Sequence, residues 1–247
     1  MAGGPPGLTA FQPARPVQYS RPTPPNIPTM QRRSFLAGTA AVAATLATRR
    51  VAGLTRDPAA TSVGFVIGEH VNVIDMAGPW EVFQDVMLPG GMESGFELFT
   101  VGPSKAALQA TGGLTIVPQY SYSDAPRAGI VVVPAHHSSP ATLEWLRAAA
   151  RRADLVMSVC TGAFILARAG LLDGLSATTH HEFQDSFARE FPKVKLERGV
   201  RYVEHEKVAT AGGLTSGIDL ALRVVERYHG AEIARATATY LEYQSRA

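Results

Sequence analysis

Short apolar runs alternate with segments of helical spacing over residues 61–243. A continuous apolar run such as GIVVVPA is typical of a central parallel strand that is covered on both faces. LTIVPQ contains Pro118, which favours an edge position. VRYVEHEKVATAG predicts two short strands around a turn at 205–207. The other strand candidates are rich in β-branched or aromatic residues: TSVGFVI (61–67), FELFTVG (96–102), LVMSV (155–159) and SATT (176–179), beside GIVVVPA (129–135) and LTIVPQ (114–119).

The segments between these runs have the spacing of apolar residues that is typical of helices. One helix is expected from Met76, since Val82, Phe83 and Val86 follow its spacing. Ser139 is placed to cap another. Further helices are predicted over TGAFILARAGLL, HEFQDSFAREF, LTSGIDLALRVVERYHG and residues 231–243. This alternation predicts an α/β fold with a mainly parallel sheet and helices on both faces.

Composition and charge indicate a globular domain. Hydrophobic residues make up 46% of the 247 residues and charged residues 18%, with a formal net charge of +2. About 190 residues follow the N-terminal region, which is enough for one domain. The arginines are scattered and no nucleic-acid-binding module is visible, so we expect no nucleic-acid partner.

The N-terminal region does not resemble part of this domain. Residues 1–29 are rich in Pro, Gly and Thr and poor in core-forming residues, so we expect them to be disordered. Met30 directly precedes a signal-like segment. An alternative is therefore that translation starts at Met30 and that residues 1–29 are not part of the native protein.

Residues 30–60 resemble a twin-arginine signal peptide with a linker. Arg32 and Arg33 precede a short Ala/Val/Leu stretch that ends near Ala47. This stretch is shorter than the ~20 residues of a membrane span, so no stable span is expected. The twin-arginine export machinery is the predicted partner, with a periplasmic or extracellular location. A chance arginine pair would leave the protein cytoplasmic.

Cys160, the only cysteine, is placed where LVMSV ends and a helix begins. Gly162 would ease a sharp strand-to-helix turn. Free N–H groups at the helix start favour a thiolate. These features indicate a nucleophile; the alternative is a small buried hydrophobic residue.

Five segments together resemble a known family. They are IDMAGPWEVF (74–83), VVVP (131–134), SVCTGAFILARAGLLDG, ATTHH (177–181) and VATAGGLTSGIDLALRVVE (208–226). In this order they are similar to the PfpI/ThiJ superfamily, relatives of class I glutamine amidotransferases. The isonitrile hydratase-like branch, which includes domains of some transcription regulators, is the most similar.

The resemblance implies a flavodoxin-like three-layer sandwich over residues 61–247, with a nucleophile elbow and usually a homodimer. It implies that Cys160 is the nucleophile, that Asp75 is the acid facing it, and that Thr161 follows it in the site. The implied activity is a cofactor-free isonitrile hydratase, a lyase that gives N-substituted formamides. Alternatives are glyoxalase or deglycase chemistry, and a ligand-sensing or redox-sensing domain without turnover.

Some of these roles have simpler explanations. Asp75 could only cap the helix that follows it. Glu81, on the same helix, could be the acid instead. Thr161 could be only a first-turn helix residue. Gly78 is a candidate for the substrate site, although a Gly-Pro pair more often shapes the backbone.

The segment after VVVP departs from the family pattern. Many relatives carry Gly-Gly there, whose N–H groups polarise the substrate, whereas this chain has Ala135 and His136. Their backbone N–H groups are expected to take this role. His180 matches a histidine of the family. A zinc site built from the two histidine doublets is the less favoured alternative, since neighbours on a strand point to opposite faces.

Overall fold

The computed structural model describes residues 61–86, 88–89 and 95–244. The predicted extension (1–29) and the predicted signal peptide with its linker (30–60) lie outside these residues. Within the described ranges, no helix is long and apolar enough to span a membrane.

The main sheet has seven strands. They are β1 (Thr61–Val66), β2 (Phe96–Gly102), β5 (Tyr120–Ser121), β6 (Ile130–Val133), β7 (Leu155–Val159), β10 (Tyr202–Glu204) and β11 (Val208–Ala211). Their order is β10-β11-β7-β6-β1-β2-β5. All neighbouring pairs are parallel except β10 with β11. The predicted α/β fold with a mainly parallel sheet is confirmed.

Two small sheets lie outside the main one. In the first, β3 (Leu108–Gln109) pairs antiparallel with β4 (Thr115–Ile116). In the second, β8 (Ser176–Ala177) pairs in parallel with β9 (Lys195–Leu196). The segment 114–119 therefore does not form the predicted strand of the main sheet, since its edge position is taken by Tyr120–Ser121. The predicted strand 176–179 shortens to two residues.

Helices cover both faces of the main sheet. They are α1 (Val73–Gln84), α2 (Pro140–Ala150), α3 (Gly162–Arg168), α4 (Gln184–Glu190), α5 (Ser216–His229) and α6 (Ala231–Tyr240), with 3-10 turns at Thr111–Gly113 and His181–Phe183. Ser139 caps α2 as predicted, in a reciprocal capping box with Thr142.

Two apolar cores lie between the sheet and its helices, one on each face of the sheet. One contains buried side chains of α2, α3 and α4, and the other contains those of α1 and α5. Along β6, Val131 and Val133 belong to the first core, whereas Ile130 and Val132 belong to the second. Successive side chains of a strand point to opposite faces, so a strand that is buried on both faces contributes to both cores. The result is a three-layer sandwich of helices, sheet and helices.

The elbow after β7 presses directly on the end of β6. A Cβ atom added to Gly162 would overlap the carbonyl oxygen of Val133. Since this neighbour is backbone, it cannot move aside as a side chain would. Residue 162 must therefore be glycine for α3 to start at this place.

We predict that Gly162→Ala destabilises the protein by about 3 kcal/mol or more, because the methyl group forces backbone movement in the core. Gly170→Ala is the matched control just beyond α3. Gly170 has a φ of 77° with open space around it, so that change should cost only about 1–2 kcal/mol. Urea unfolding measures both values, and equal losses would contradict the close approach.

Candidate active site

The carboxyl ends of β1, β6, β7 and β11 meet at one edge of the sheet. A cavity of about 450 Å³ opens there, and Cys160 lies in its wall. The other lining residues come from the loops after β1 and β6, from the elbow and α3, and from the 3-10 turns at Thr111–Gly113 and His181–Phe183. They are His70, Asn72, Thr111, Ala135, His136, His137, Thr161, Phe164, Ile165, Arg168 and Phe183. Ligands of open α/β sheets bind at this edge, so this cavity is the candidate active site.

Cys160 occupies a strained backbone conformation at the elbow. Its φ is 59°, a region that residues with a Cβ rarely adopt. The Cys160 N–H donates to the carbonyl oxygen of Gly212 at 2.8 Å. The Cys160 carbonyl oxygen accepts from Thr179 Oγ1, also at 2.8 Å. These contacts hold a conformation that costs about 1–3 kcal/mol on its own.

Asp75 is fully buried beside this thiol. It lies in the first turn of α1, whose N-cap residue is Asn72, so Asp75 is not the cap of its helix. Asp75 Oδ2 accepts from the Ala135 N–H at 3.4 Å. Asp75 Oδ1 is buried without a well-formed hydrogen bond among the described residues.

Burial raises the pKa of Asp75 from 3.8 to about 6. Three neighbours limit this rise, because the Ala135 N–H, the Cys160 thiol and the Leu214 N–H all favour the carboxylate. At neutral pH the carboxylate therefore predominates, although a proton can reside on Asp75 at little cost.

The pKa of the Cys160 thiol is raised, whereas the sequence predicts a lowered pKa and a thiolate. Burial, followed by the negative charge of Asp75, raises its pKa to about 12. The helix start does act as expected, since the Thr161 N–H lowers this pKa, but its effect is smaller. The resting site therefore holds a thiol next to a carboxylate rather than a free thiolate.

Leu214 also contributes to this site, and the sequence reasoning missed it. Its backbone N–H lowers the pKa of both Asp75 and Cys160, so it faces the pair. Leu214 has a φ of 53°, which is another strained conformation. The signal was available in the Gly-Gly-Leu-Thr stretch after β11, where glycines allow a tight loop to approach the elbow.

Three of the other predicted site residues do not line the cavity. Gly78 packs against Ile218 of α5, where it allows α1 and α5 to approach closely. Glu81 is exposed on α1 and accepts a hydrogen bond from Gln84. His180 lines a separate cavity of about 330 Å³ beyond Gly213. Between the two candidate acids, only Asp75 interacts with Cys160.

Ala135, His136 and Thr161 do line the cavity. The Ala135 N–H is engaged by Asp75, so it orients the acid rather than being free for substrate. His136 Nδ1 lies 2.9 Å from the carbonyl oxygen of Pro134. Burial lowers the pKa of His136 to about 4, so its ring is neutral at neutral pH.

The sequence reasoning also missed the aromatic wall of the cavity. Phe164 and Phe183 lie in the lining, and the Arg168 guanidinium is 5.9 Å from the centre of the Phe164 ring. His70 and His137 stack edge to face with ring centres 4.7 Å apart. In the part of the chain that the structure describes, no three His, Cys, Asp or Glu side chains are grouped as metal ligands.

Comparison with known proteins identifies the family of this chain. A model of the DJ-1/PfpI family matches residues 61–227. The chain belongs to the DJ-1/PfpI family. A crystal structure of a ThiJ/PfpI family protein from Pseudomonas syringae superposes with a TM-score of 0.67 at 26% identity, covering 76% of this chain and 77% of that one. The resemblance inferred from the five motifs is confirmed at the level of the family.

Its relatives include both an enzyme and transcriptional regulators. Isonitrile hydratase of Pseudomonas putida is 30% identical over 190 residues, covering 74% of this chain and 79% of that enzyme. The HTH-type transcriptional regulator GbdR of Pseudomonas aeruginosa is 27% identical over 188 residues, which are 74% of this chain but 51% of the regulator. The absence of a nucleic-acid partner therefore stays a prediction.

We predict that Asp75→Asn stabilises the protein increasingly as pH rises. Between pH 3.8 and about 6 the folded wild type binds more protons at Asp75 than the unfolded chain. Its stability therefore falls across this window, by about 3 kcal/mol in total. The variant lacks this loss. The gap in unfolding free energy should grow from pH 4 to pH 7 and then level off.

Urea unfolding across this pH range measures that gap. Glu81→Gln, on the exposed face of the same helix, is the control and should change stability by less than about 0.5 kcal/mol. A gap for Asp75→Asn that stays constant with pH would show that the carboxyl has an ordinary pKa.

Proposed function

We propose that this protein is a cysteine-dependent isonitrile hydratase that converts a small isonitrile and water into an N-substituted formamide. The observation that carries the proposal is the thiol–carboxylate pair of Cys160 and Asp75 beside a partly aromatic cavity. An isonitrile carbon needs both a nucleophile and a proton, and this pair can supply both from adjacent atoms. The similarity to an isonitrile hydratase supports the same reaction.

In the first step, Cys160 Sγ attacks the isonitrile carbon. The thiol proton passes to Asp75 and from there to the same carbon, so one C–S bond and one C–H bond form. The product is a thioformimidate, Cys160–S–CH=N–R. Because the thiol carries its proton at rest, attack and proton transfer are coupled, and the raised pKa of Asp75 suits it to relay that proton.

In the second step, water adds across the C=N bond. Its hydroxyl group bonds to carbon and its proton reaches nitrogen through Asp75. The resulting adduct, Cys160–S–CH(OH)–NH–R, then expels sulfur as the C=O bond forms, and the hydroxyl proton returns to the thiol. The net reaction is R–NC + H₂O → R–NH–CHO, and no electron donor or acceptor is consumed.

Backbone donors assist the steps in which sulfur carries negative charge. The Thr161 and Leu214 N–H groups stabilise the thiolate, and preorganised donors of this kind lower barriers when charge develops. Neutral His136 and the rings of Phe164 and Phe183 contribute a largely uncharged wall. A neutral isonitrile with an apolar substituent fits such a wall.

Ligand sensing without turnover is the second candidate. The similarity to HTH-type regulators favours it, since the shared region there belongs to proteins named as regulators. The two candidates differ in one observable. A hydratase consumes its ligand through Cys160, whereas a sensor binds the ligand and leaves it unchanged.

We expect the purified protein to convert cyclohexyl isocyanide to N-cyclohexylformamide, followed by gas chromatography. Cys160→Ser should lower kcat by about 1,000-fold or more, because the nucleophile is weakened. Asp75→Asn should lower kcat by roughly 100- to 10,000-fold, because the proton relay is lost. Glu81→Gln is the matched carboxylate control and should stay within about twofold of wild type.

Absence of turnover by the folded wild type would reject the hydratase. Saturable binding of the intact isonitrile in the same sample would then favour the sensor. Turnover that survives in Cys160→Ser would reject the covalent mechanism.

A further inference from the structure

We propose that Thr179 is a positioning residue that holds the Cys160 backbone in its strained conformation and thereby keeps the thiol facing Asp75. Thr179 contacts the carbonyl group of Cys160 and does not line the candidate active site. Its proposed action is therefore on the geometry of the elbow rather than on the substrate.

The geometry of the elbow supports this role. A φ of 59° at Cys160 persists only where neighbours fix both ends of the residue. The Gly212 carbonyl oxygen fixes the N–H group at 2.8 Å. On the carbonyl side, Ala163 N donates from 3.4 Å, whereas Thr179 Oγ1 donates from 2.8 Å. The threonine hydroxyl is therefore the shorter and stronger constraint on that carbonyl.

Thr179 is itself held in place by a chain of polar contacts that runs from the core to Arg198 at the surface. Its exposed fraction is 1%. Its carbonyl oxygen accepts from Gln184 Nε2 at 3.4 Å, and Gln184 Oε1 accepts from Arg198 at 3.4 Å. The preceding residue is anchored too, since the Thr178 N–H donates to Thr210 Oγ1 of β11 at 2.9 Å. These contacts give the segment after β8 a defined place beneath the elbow.

Thr178 provides a matched comparison in the same segment. It is as buried as Thr179, but its hydroxyl oxygen has no hydrogen-bond partner within the described residues. Valine has nearly the same shape as threonine and lacks only the hydroxyl. Thr178→Val therefore controls for the packing effect of the substitution, whereas Thr179→Val removes the contact with Cys160.

The first test is independent of the proposed activity. Alkylation of the purified full chain by iodoacetamide is followed by mass spectrometry as a function of pH. Burial and, after it, the charge of Asp75 raise the pKa of the thiol, so a thiol released from this position should react at lower pH. We expect the midpoint to move down in Thr179→Val, and to remain at the wild-type value in Thr178→Val and Thr179→Ser.

The second test is kinetic and rests on the proposed hydratase activity. Thr179→Val should lower kcat by roughly 10- to 100-fold, because the Cys160 carbonyl keeps only its longer hydrogen bond and the elbow shifts away from the productive conformer. KM should stay within about twofold, since the side chains that line the cavity are the same as in the wild type. Thr179→Ser should restore kcat.

Wild-type alkylation midpoints in Thr179→Val would overturn the proposal, as would equal shifts in Thr178→Val and Thr179→Val. If Thr179→Val does not fold, the pair Thr179→Ser and Thr179→Ala replaces it, because these variants differ only by the hydroxyl. Equal midpoints in that pair would likewise overturn the proposal. If no isonitrile is turned over at all, the hydratase fails while the alkylation test still stands.

Discussion

The site depends on keeping a buried carboxyl group next to a buried thiol. The contact between these two side chains is not enough to hold them together. Asp75 is inaccessible to solvent and Cys160 is 6% exposed. Burial disfavours the charged form of both groups, and the Asp75 carboxylate opposes ionisation of the thiol, whereas the protonated thiol favours the carboxylate. The fold keeps them together from two sides. Helix α1 places Asp75 beneath the Ala135 N–H, and the wedge of Gly162 against β6 fixes the start of α3 behind Cys160. The chemistry of the site follows from the burial of the thiol and the charge of Asp75, since proton transfer between the two groups becomes easy only when the sulfur forms a bond.

This arrangement exchanges stability for reactivity. The strained backbone at Cys160 and Leu214 costs free energy, and the raised pKa of Asp75 indicates a carboxylate held in an unfavourable environment. Two apolar cores, one on each face of the sheet, provide the stability that offsets these costs. The same cores constrain the elbow, because its backbone packs against strands that are buried on both faces.

The sequence predicted the parts of this protein that depend on local pattern. The strands β2 and β7 have the predicted bounds, because short segments rich in apolar residues between turn residues have few alternative structures. The elbow followed from a cysteine between an apolar run and Gly162. The pKa of Cys160 was not predictable, because it depends on burial and on Asp75, which is distant in the chain. Leu214 and Thr179 were missed for a related reason, since they act through a backbone N–H and a hydroxyl that only the tertiary fold brings to the elbow.

The central claim is that Asp75 and Cys160 form one buried, interacting pair. Carbon-13 NMR titration of the side-chain carboxyls tests it directly, with the Asp75 signal assigned by its absence in Asp75→Asn. The account predicts a midpoint near pH 6 in the wild type. It predicts a higher midpoint in Cys160→Ala, because the thiol no longer stabilises the carboxylate. A midpoint near 3.8 that is the same in both proteins would contradict the pair and the mechanism built on it.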